Sequence, residues 1–585
     1  MSTTGDLVSR IYSNFRGVDF RGEEVNLARS PDSLNMWKDY RNTDRVQTRP
    51  GKGNFASVLP GNYEAIYGIF RYDGATLIHR GNHLHKYVGN TLYATLYDEM
   101  NEHESHAFVF GDKFYIIDGK NYLVYNGESI TEVVGYIPTT SIGRKPSGGG
   151  EVHEDVNLLS PWRTNTFYGD GESNAYYLDT KGIIFAKGSV KVEVDDVTLD
   201  EERYTVNPAK GLIIFLTTGG TGWEVPPVPS DGKPNVKITF RTELDDDFEK
   251  NSAARIKKCT LCQVFDNRVF FSGNDDYPNI LWHCNLYDPT YWSDTDYYEE
   301  GLDSARVKGL VAGNNALWVF REPSDANTTV FYHMPTIDAD YGKIYPSQHS
   351  SITTGCVGKV INFNDDIIFF SDRGMEGIHG DVTSEQVIEH RSSLVDRKML
   401  QEEKYKDMIL VEWEGYLLVF IGSHVYLADS RAVFNNVDHI EYEWFYWDIG
   451  VTVTAATVIG STLYIGSSVG GVYTMFAEDR SAEVESYWTT PKDKFNAPNK
   501  LKTTNKNGCV VEATGKMEVL AKTDNDNVFE SIGTYENVKD FVVSRIKKKK
   551  FKDIQLRFHS NKWFTLETAT LECFVGGYIK RGGGE

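Results

Sequence analysis

Val411-Glu-Trp-Glu-Gly-Tyr-Leu-Leu-Val-Phe420 places two strands and a turn in ten residues. Glu414-Gly415 falls where a tight hairpin needs a residue that tolerates positive φ. Tyr416 to Phe420 has no polar break, and a short unbroken apolar run reads as a strand covered on both faces. The same pattern recurs on either side. Upstream it is Ile69-Phe-Arg-Tyr-Asp-Gly-Ala-Thr-Leu-Ile78, Phe108-Val-Phe-Gly-Asp-Lys-Phe-Tyr-Ile-Ile117, Val264-Phe-Asp-Asn-Arg-Val-Phe-Phe271, Val311-Ala-Gly-Asn-Asn-Ala-Leu-Trp-Val-Phe320 and Asn362-Phe-Asn-Asp-Asp-Ile-Ile-Phe-Phe370. Downstream it is Val458-Ile-Gly-Ser-Thr-Leu-Tyr-Ile-Gly466.

The turns recur every roughly 40–50 residues, the spacing of β-propeller blades of four antiparallel strands. The exception is Asp112 to Asp266, about three blades long by that spacing. The pattern predicts an all-β chain: a propeller of about seven blades, an inserted β-sandwich and a C-terminal β-sandwich. The alternative is an irregular sandwich whose hairpins look alike. The expected boundaries are an N-terminal docking segment over 1–60, blades over 61–145, the insert over 146–252, further blades over 253–480 and the closing sandwich over 481–585. Lys145-Pro-Ser-Gly-Gly-Gly-Glu151 reads as a linker into the insert, and the charged Leu244–Lys250 as its exit. Within the insert, Val190–Val194 and Val236–Phe240 alternate with period 2, as strands do. The Gly- and Pro-rich stretch Gly219–Pro234 reads as an exposed loop. Ser393–Met408 is the best helix candidate.

The chain has 585 residues, with Lys+Arg 61 against Asp+Glu 83 and a net charge of −22. A broad grip on nucleic acid needs clustered cations, so this balance argues against it. Aromatics make up 13% and apolar residues 40%, which excludes disorder for the bulk of the chain. No apolar run approaches the ~20 residues of a bilayer span, so no membrane insertion is expected. The start, Met1–Asp6, lacks a signal-peptide pattern, and folding in a cytoplasm is the expectation.

Chemical constellations are sparse. Cys259 and Cys262, with His283-Cys284, suggest zinc, but residues i and i+3 of a strand point to opposite faces. Buried structural cysteines are the simpler reading. His83 and His85 share a strand face without a third ligand. Glu299-Glu300 and Asp365-Asp366 are adjacent turn residues, and Ser371-Asp-Arg-Gly-Met-Glu-Gly377 falls short of a sialidase box. No catalytic elbow, phosphate loop or zinc-protease motif is present. The turn Asp524-Asn-Asp-Asn527 lacks the glycine and distal glutamate of a calcium loop. Neither catalytic residues, metal nor cofactor are expected. Candidate interface or channel residues are Tyr287, Tyr291, Trp292 and Tyr297 in an aromatic segment, Trp223 in the insert loop, and Lys547, Lys548 and Lys549 in a basic run. That run could touch an acidic partner, or guard a strand edge against pairing.

Several stretches together resemble the phage tail nozzle (tail tubular B) and head–tail stabilisation proteins. They are Asn14-Phe-Arg-Gly-Val-Asp19, Ser30-Pro-Asp-Ser-Leu-Asn-Met36 and Arg49-Pro-Gly51 ahead of the first blade. In the middle come Asn267–Asn274, Tyr277-Pro-Asn279 and Asp288-Pro-Thr-Tyr291, and at the end Lys550–Phe558 and Gly576–Arg581. The resemblance implies a non-enzymatic virion protein, assembled in the host cytoplasm. It implies a homo-oligomeric ring, typically a hexamer, that extends the portal–adaptor channel, contacts other tail proteins, retains packaged DNA and lets it pass during ejection without gripping it specifically. An acidic lumen would repel the polyanion. The alternative is a receptor- or glycan-binding tail protein, reading its target with propeller and sandwich loops; a propeller hydrolase is a third class.

Overall fold

The computed structural model describes residues 5–56, 64–184, 186–216, 225–242, 252–325, 328–339, 342–379, 387–431, 441–477, 480, 482–546 and 548–578. Among them the chain is all-β, with two four-residue α-helices, Ala254–Lys257 and Asp396–Met399. The expected helix over 393–408 is reduced to the second of these and a 3-10 turn at Tyr405–Asp407. Leu394, Val395, Met399, Tyr405 and Met408 sink instead into a core shared with Phe370 and Met375. Burial there overrides helix propensity.

Seven sheets have four strands each among the described residues. The stretch Val411–Phe420 forms the first hairpin of one: Ile409–Trp413, Tyr416–Ile421, His424–Asp429 and Glu443–Asp448. Trp413 faces Tyr416 and Val411 faces Leu418 across it. Glu414 and Gly415 both have positive φ, as do Asp266 and Asn267, Asn314 and Asn315, and Asn364 and Asp365 in the corresponding turns. The second strands Ala75–Arg80, Ala316–Arg321, Asp366–Ser371 and Tyr416–Ile421 are buried along their whole length. A strand with both faces covered needs apolar residues at consecutive positions, which is why these runs lack period-2 alternation.

The chain divides into two compact units. The first comprises Met1–Asp98, Gly313–Val330 and His349–Glu585, the second Glu99–Ala312 and Phe331–Gln348. In the first unit, the sheet of Val453–Ile459, Thr462–Ser467 and Val472–Ala477 takes its fourth strand from the N-terminal segment, Gly51–Ala56. The C-terminal region builds two facing sheets, one of five and one of seven strands. Their shared core includes Trp488, Val519, Phe558, Phe564 and Leu571. Both also recruit N-terminal strands: Ser33–Leu34 joins the five-stranded sheet, while Asp6–Tyr12, Met36–Asp39 and Asn42–Thr48 join the seven-stranded one. Residues 5–56 are therefore built into the chain's own sheets, not held out as a separate docking segment.

In the second unit, the insert is a six-stranded sheet over a three-stranded one. Its core is Phe167, Tyr176, Val192, Tyr204, Ile213, Phe215, Ile238 and neighbours. It begins earlier than expected. Thr139–Arg144 is already a strand of the larger sheet and pairs with Trp162–Phe167 and Glu151–Val152. The supposed linker after it is a hairpin turn: Lys145 and Gly148 exchange backbone hydrogen bonds of 3.2 and 2.9 Å. The exit Leu244–Lys250, Trp223 and the first part of the loop Gly219–Pro234 lie outside the described residues.

Candidate functional site

The N-terminal resemblance motifs meet in space within the first unit. Asn35, in the left-handed region at φ 54°, is buried. Its Oδ1 accepts from Arg49 Nε at 2.9 Å and from the Asp448 amide at 2.9 Å, while its Nδ2 donates to the Glu485 carbonyl at 2.8 Å. Arg49 also donates to the carbonyls of Asp448 and Pro50, at 3.0 and 3.1 Å. Burial lowers its pKa to about 10. Gly17 sits against the strand Glu443–Asp448: a Cβ on it would lie 2.2 Å from the Trp444 carbonyl oxygen. That oxygen accepts the Val18 amide at 2.7 Å. Phe15 packs edge-on against Trp488, with centroids 5.2 Å apart. Ser30 Oγ donates to the Thr489 carbonyl at 2.7 Å. These motifs bracket the strand Glu443–Asp448 to the C-terminal sandwich, and their side chains are consumed by that task.

The aromatic segment splits. Tyr287 is 66% and Tyr297 47% exposed, and both remain available at the surface. Tyr291 and Trp292 do not. Tyr291 is 6% exposed and its hydroxyl donates to the Asp155 carbonyl at 2.9 Å. Trp292 is fully buried against Phe271, with centroids 4.4 Å apart, and its Nε1 donates to the Pro289 carbonyl at 2.8 Å. An indole whose only polar group is satisfied inside belongs to the core. Neither residue can line a channel or an interface. The expectation fails because an aromatic cluster looks alike in sequence whether it anchors a loop or presents one.

The basic run is compensated at Lys548. Lys547 lies outside the described residues. Lys548 pairs with Asp526 at 2.9 Å and with Glu530. Asp524 Oδ1 accepts the Lys552 amide at 2.6 Å. The acidic turn 524–527 thus meets the basic run at Lys548 and Lys552. Lys549 is exposed, on the short edge strand Lys549–Phe551. Cys259, Cys262 and Cys284 are free thiols around one core. Burial pushes the thiols of Cys262 and Cys284 up to about 12, which makes them poor nucleophiles and poor ligands. His83 and His85 stack with rings 6° apart, and burial first, then the Arg80 charge, lowers His85 to about 4. Glu300 is fully buried, bonded to His333 Nε2 at 2.7 Å and Ser347 Oγ at 2.7 Å. Asp366 accepts from Arg391 Nε at 2.9 Å and Tyr442 at 2.8 Å. These two carboxylates hold the fold.

One polar cluster has no counterpart in the sequence reading. Thr354, Arg373, Glu376, Ile388 and His390 line a cavity of about 500 Å³ in the first unit. His390 Nε2 bonds Asp396 at 2.5 Å and its Nδ1 bonds Glu376 at 3.2 Å. The hydrogen bond to Asp396, then that to Glu376, raises its pKa to about 10. A histidine clamped between two carboxylates is an imidazolium at neutral pH and cannot act as a general base. The three residues come from different elements, so no local spacing marks them.

No family model matches the chain, and no curated protein matches it. Among solved structures it is similar to the computationally designed protein Ika8, at 10% identity over 73% of this chain and 100% of that one, with a TM-score of 0.31. It is similar to BamB from Moraxella catarrhalis, at 12% identity over 78% and 96%, TM-score 0.34. A third is an exo-β-1,3-galactanase from Phanerochaete chrysosporium, at 10% identity over 53% and 95%, TM-score 0.22.

Proposed function

We propose that this protein is a non-enzymatic structural subunit of a phage tail nozzle: a ring of copies that extends the portal–adaptor channel, retains packaged DNA and conducts it on ejection. The observation that carries this reading is the convergence of the N-terminal resemblance motifs. Asn35 and Arg49, 14 residues apart in sequence, share one hydrogen bond and together tie a propeller-type sheet to the C-terminal sandwich. Motifs held by such a bracket are constrained by assembly of the subunit, as a resemblance between structural proteins requires. The net charge of −22 fits a surface along which a polyanion passes without adhering.

The test is twofold. The purified chain, weighed by light scattering and imaged by negative stain, assembles into closed rings of uniform copy number. Particles made without it package DNA and then lose it. A chain that stays monomeric, together with particles that hold their DNA without it, rejects the reading.

A second reading, receptor or glycan binding, draws on the exposed rings of Tyr287 and Tyr297, since flat aromatics are suited to stacking on sugars. It predicts saturable binding to host polysaccharide that falls on Tyr287→Ala.

A further inference from the structure

We propose that the outer face of the C-terminal seven-stranded sheet is a docking surface for a second copy of this chain, seated on the acidic region that precedes residue 481 in that copy. The inference rests on the ring reading above and names the face that joins neighbouring subunits.

Register places the residues of this face in rows across four strands. Ile11 lies opposite Thr570, Thr570 opposite Gly508, and Gly508 opposite Val543. The next row is Ser9, Glu572, Lys506 and Arg545, and the one beyond it Leu7, Phe574 and Thr503. Cys573, Leu571 and Ala569, which alternate with these, point into the core. The outer rows leave large apolar side chains in water: Leu7 is 54%, Ile11 60%, Phe541 52%, Val543 48% and Phe574 41% exposed. Scattered exposed apolar residues are ordinary, but rows that adjoin on one sheet face mark an interaction surface.

Gly508 sharpens the point. A glycine inside a strand weakens it, so its presence needs a reason. A Cβ at 508 would lie 2.4 Å from Phe541 Cζ and 3.0 Å from Thr570 Oγ1. The missing side chain lets the Phe541 ring reach over Gly508 and extend the row from Ile11 to Val543. An exposed aromatic in an apolar row with a charged row beside it has the anatomy of an interface centre and its polar rim.

Charge selects the occupant. Residues 481–585 carry 18 Lys and Arg against 14 Asp and Glu, whereas residues 1–480 carry 43 against 69. The chain is therefore split into a basic end and a strongly acidic remainder. Lys506 and Arg545 on this face meet opposite charge on the remainder of a second copy. Glu572 shares their row, which leaves the row only weakly positive, so it gains more from the acidic remainder of a second copy than from a two-fold contact of the face with itself. A contact between unlike patches is head-to-tail, and head-to-tail contacts close into rings or run on as filaments. Duplex DNA is a weaker fit, because apolar rows gain nothing from a phosphate backbone.

The experiment uses the full chain in sedimentation velocity over a range of concentrations, at low and high salt, beside Val543→Asp and Ile11→Asp. Both positions are exposed, so the variants keep the wild-type near-UV circular dichroism, which is recorded as a control. The expected result is assembly of the wild type that weakens with salt, and an apparent dissociation constant raised at least about tenfold in each variant. Wild-type assembly that both variants preserve overturns the face and leaves the ring standing. A monomeric wild type at every concentration overturns both. Binding of a labelled DNA duplex that Val543→Asp abolishes would give the face to nucleic acid and overturn the proposal.

Discussion

Trp292 and Tyr287 are five positions apart and have opposite fates. Trp292 is sealed among Phe271 and Tyr122. Trp292→Ala should cost about 3–5 kcal/mol, read as a lowered urea midpoint. Tyr287→Ala should leave stability within about 0.5 kcal/mol; equal losses at the two sites would show that the aromatic segment packs as one unit. His390 makes a claim about pH. Its folded pKa, about 10, lies above the ordinary 6.5. Its contribution is complete below pH 6.5 and disappears as the pH rises through 10. His390→Gln should therefore destabilise the protein at pH 6 and do so much less above pH 10, followed by thermal melts at each pH. Asp296 runs the other way. Burial first, and the Asp155 and Asp294 charges, raise it to about 6 against the pull of Arg268. A carboxyl raised on folding is a liability above pH 6 and none below its unfolded pKa near 4. Asp296→Asn should stabilise the chain at pH 8, with the gain fading as the pH falls through about 6 and gone below the unfolded pKa near 4.

The hairpins show which elements could be read from sequence and why. Asn364-Asp365 and Glu414-Gly415 announce their turns because the need for positive φ is local and few residue types meet it. The strand after each turn follows from its unbroken apolar run. The bracket at the N-terminus could not be read this way. Val18 bonds Trp444, and Ser33–Leu34 pairs with Tyr487 and Trp488. Pairings over such separations leave no periodic trace. Gly17 lies in the first resemblance motif, and only the structure shows how closely its backbone approaches Trp444. Gly17→Ala must fit a Cβ 2.2 Å from the Trp444 carbonyl at φ 78°. It should cost about 2–4 kcal/mol, with hydrogen exchange rising first in Glu443–Asp448. Unchanged exchange there would mean that the bracket is dispensable. The His390 cluster was hidden for a related reason: Glu376, His390 and Asp396 come together only once the sheet and the following turn are in place.

At the level of the whole chain, composition separated what the protein is made of more readily than where each part begins. The insert was visible as a break in the repeat, but its first strand, Thr139–Arg144, lay hidden before a glycine run that looked like a linker. Since the insert has its own core, a fragment covering residues 136–242 should fold alone and give dispersed amide resonances. A fragment starting at 146 lacks a strand of the larger sheet and should not. If the shorter piece folds equally well, Thr139–Arg144 is an accessory strand.

Strand Gly51–Ala56 completes a sheet whose other members end at residue 477, and Asp6–Tyr12 waits for partners as far on as Val575. On a ribosome adding about 5–20 residues per second, the first of these would stay unmatched for roughly 20–80 s. During that interval the newborn chain exposes strand edges and apolar residues that no later-made segment yet covers. Early arrest of translation leaves a product with sticky, unsatisfied edges, so the cell making this protein should need a holding chaperone in proportion to the rate of synthesis.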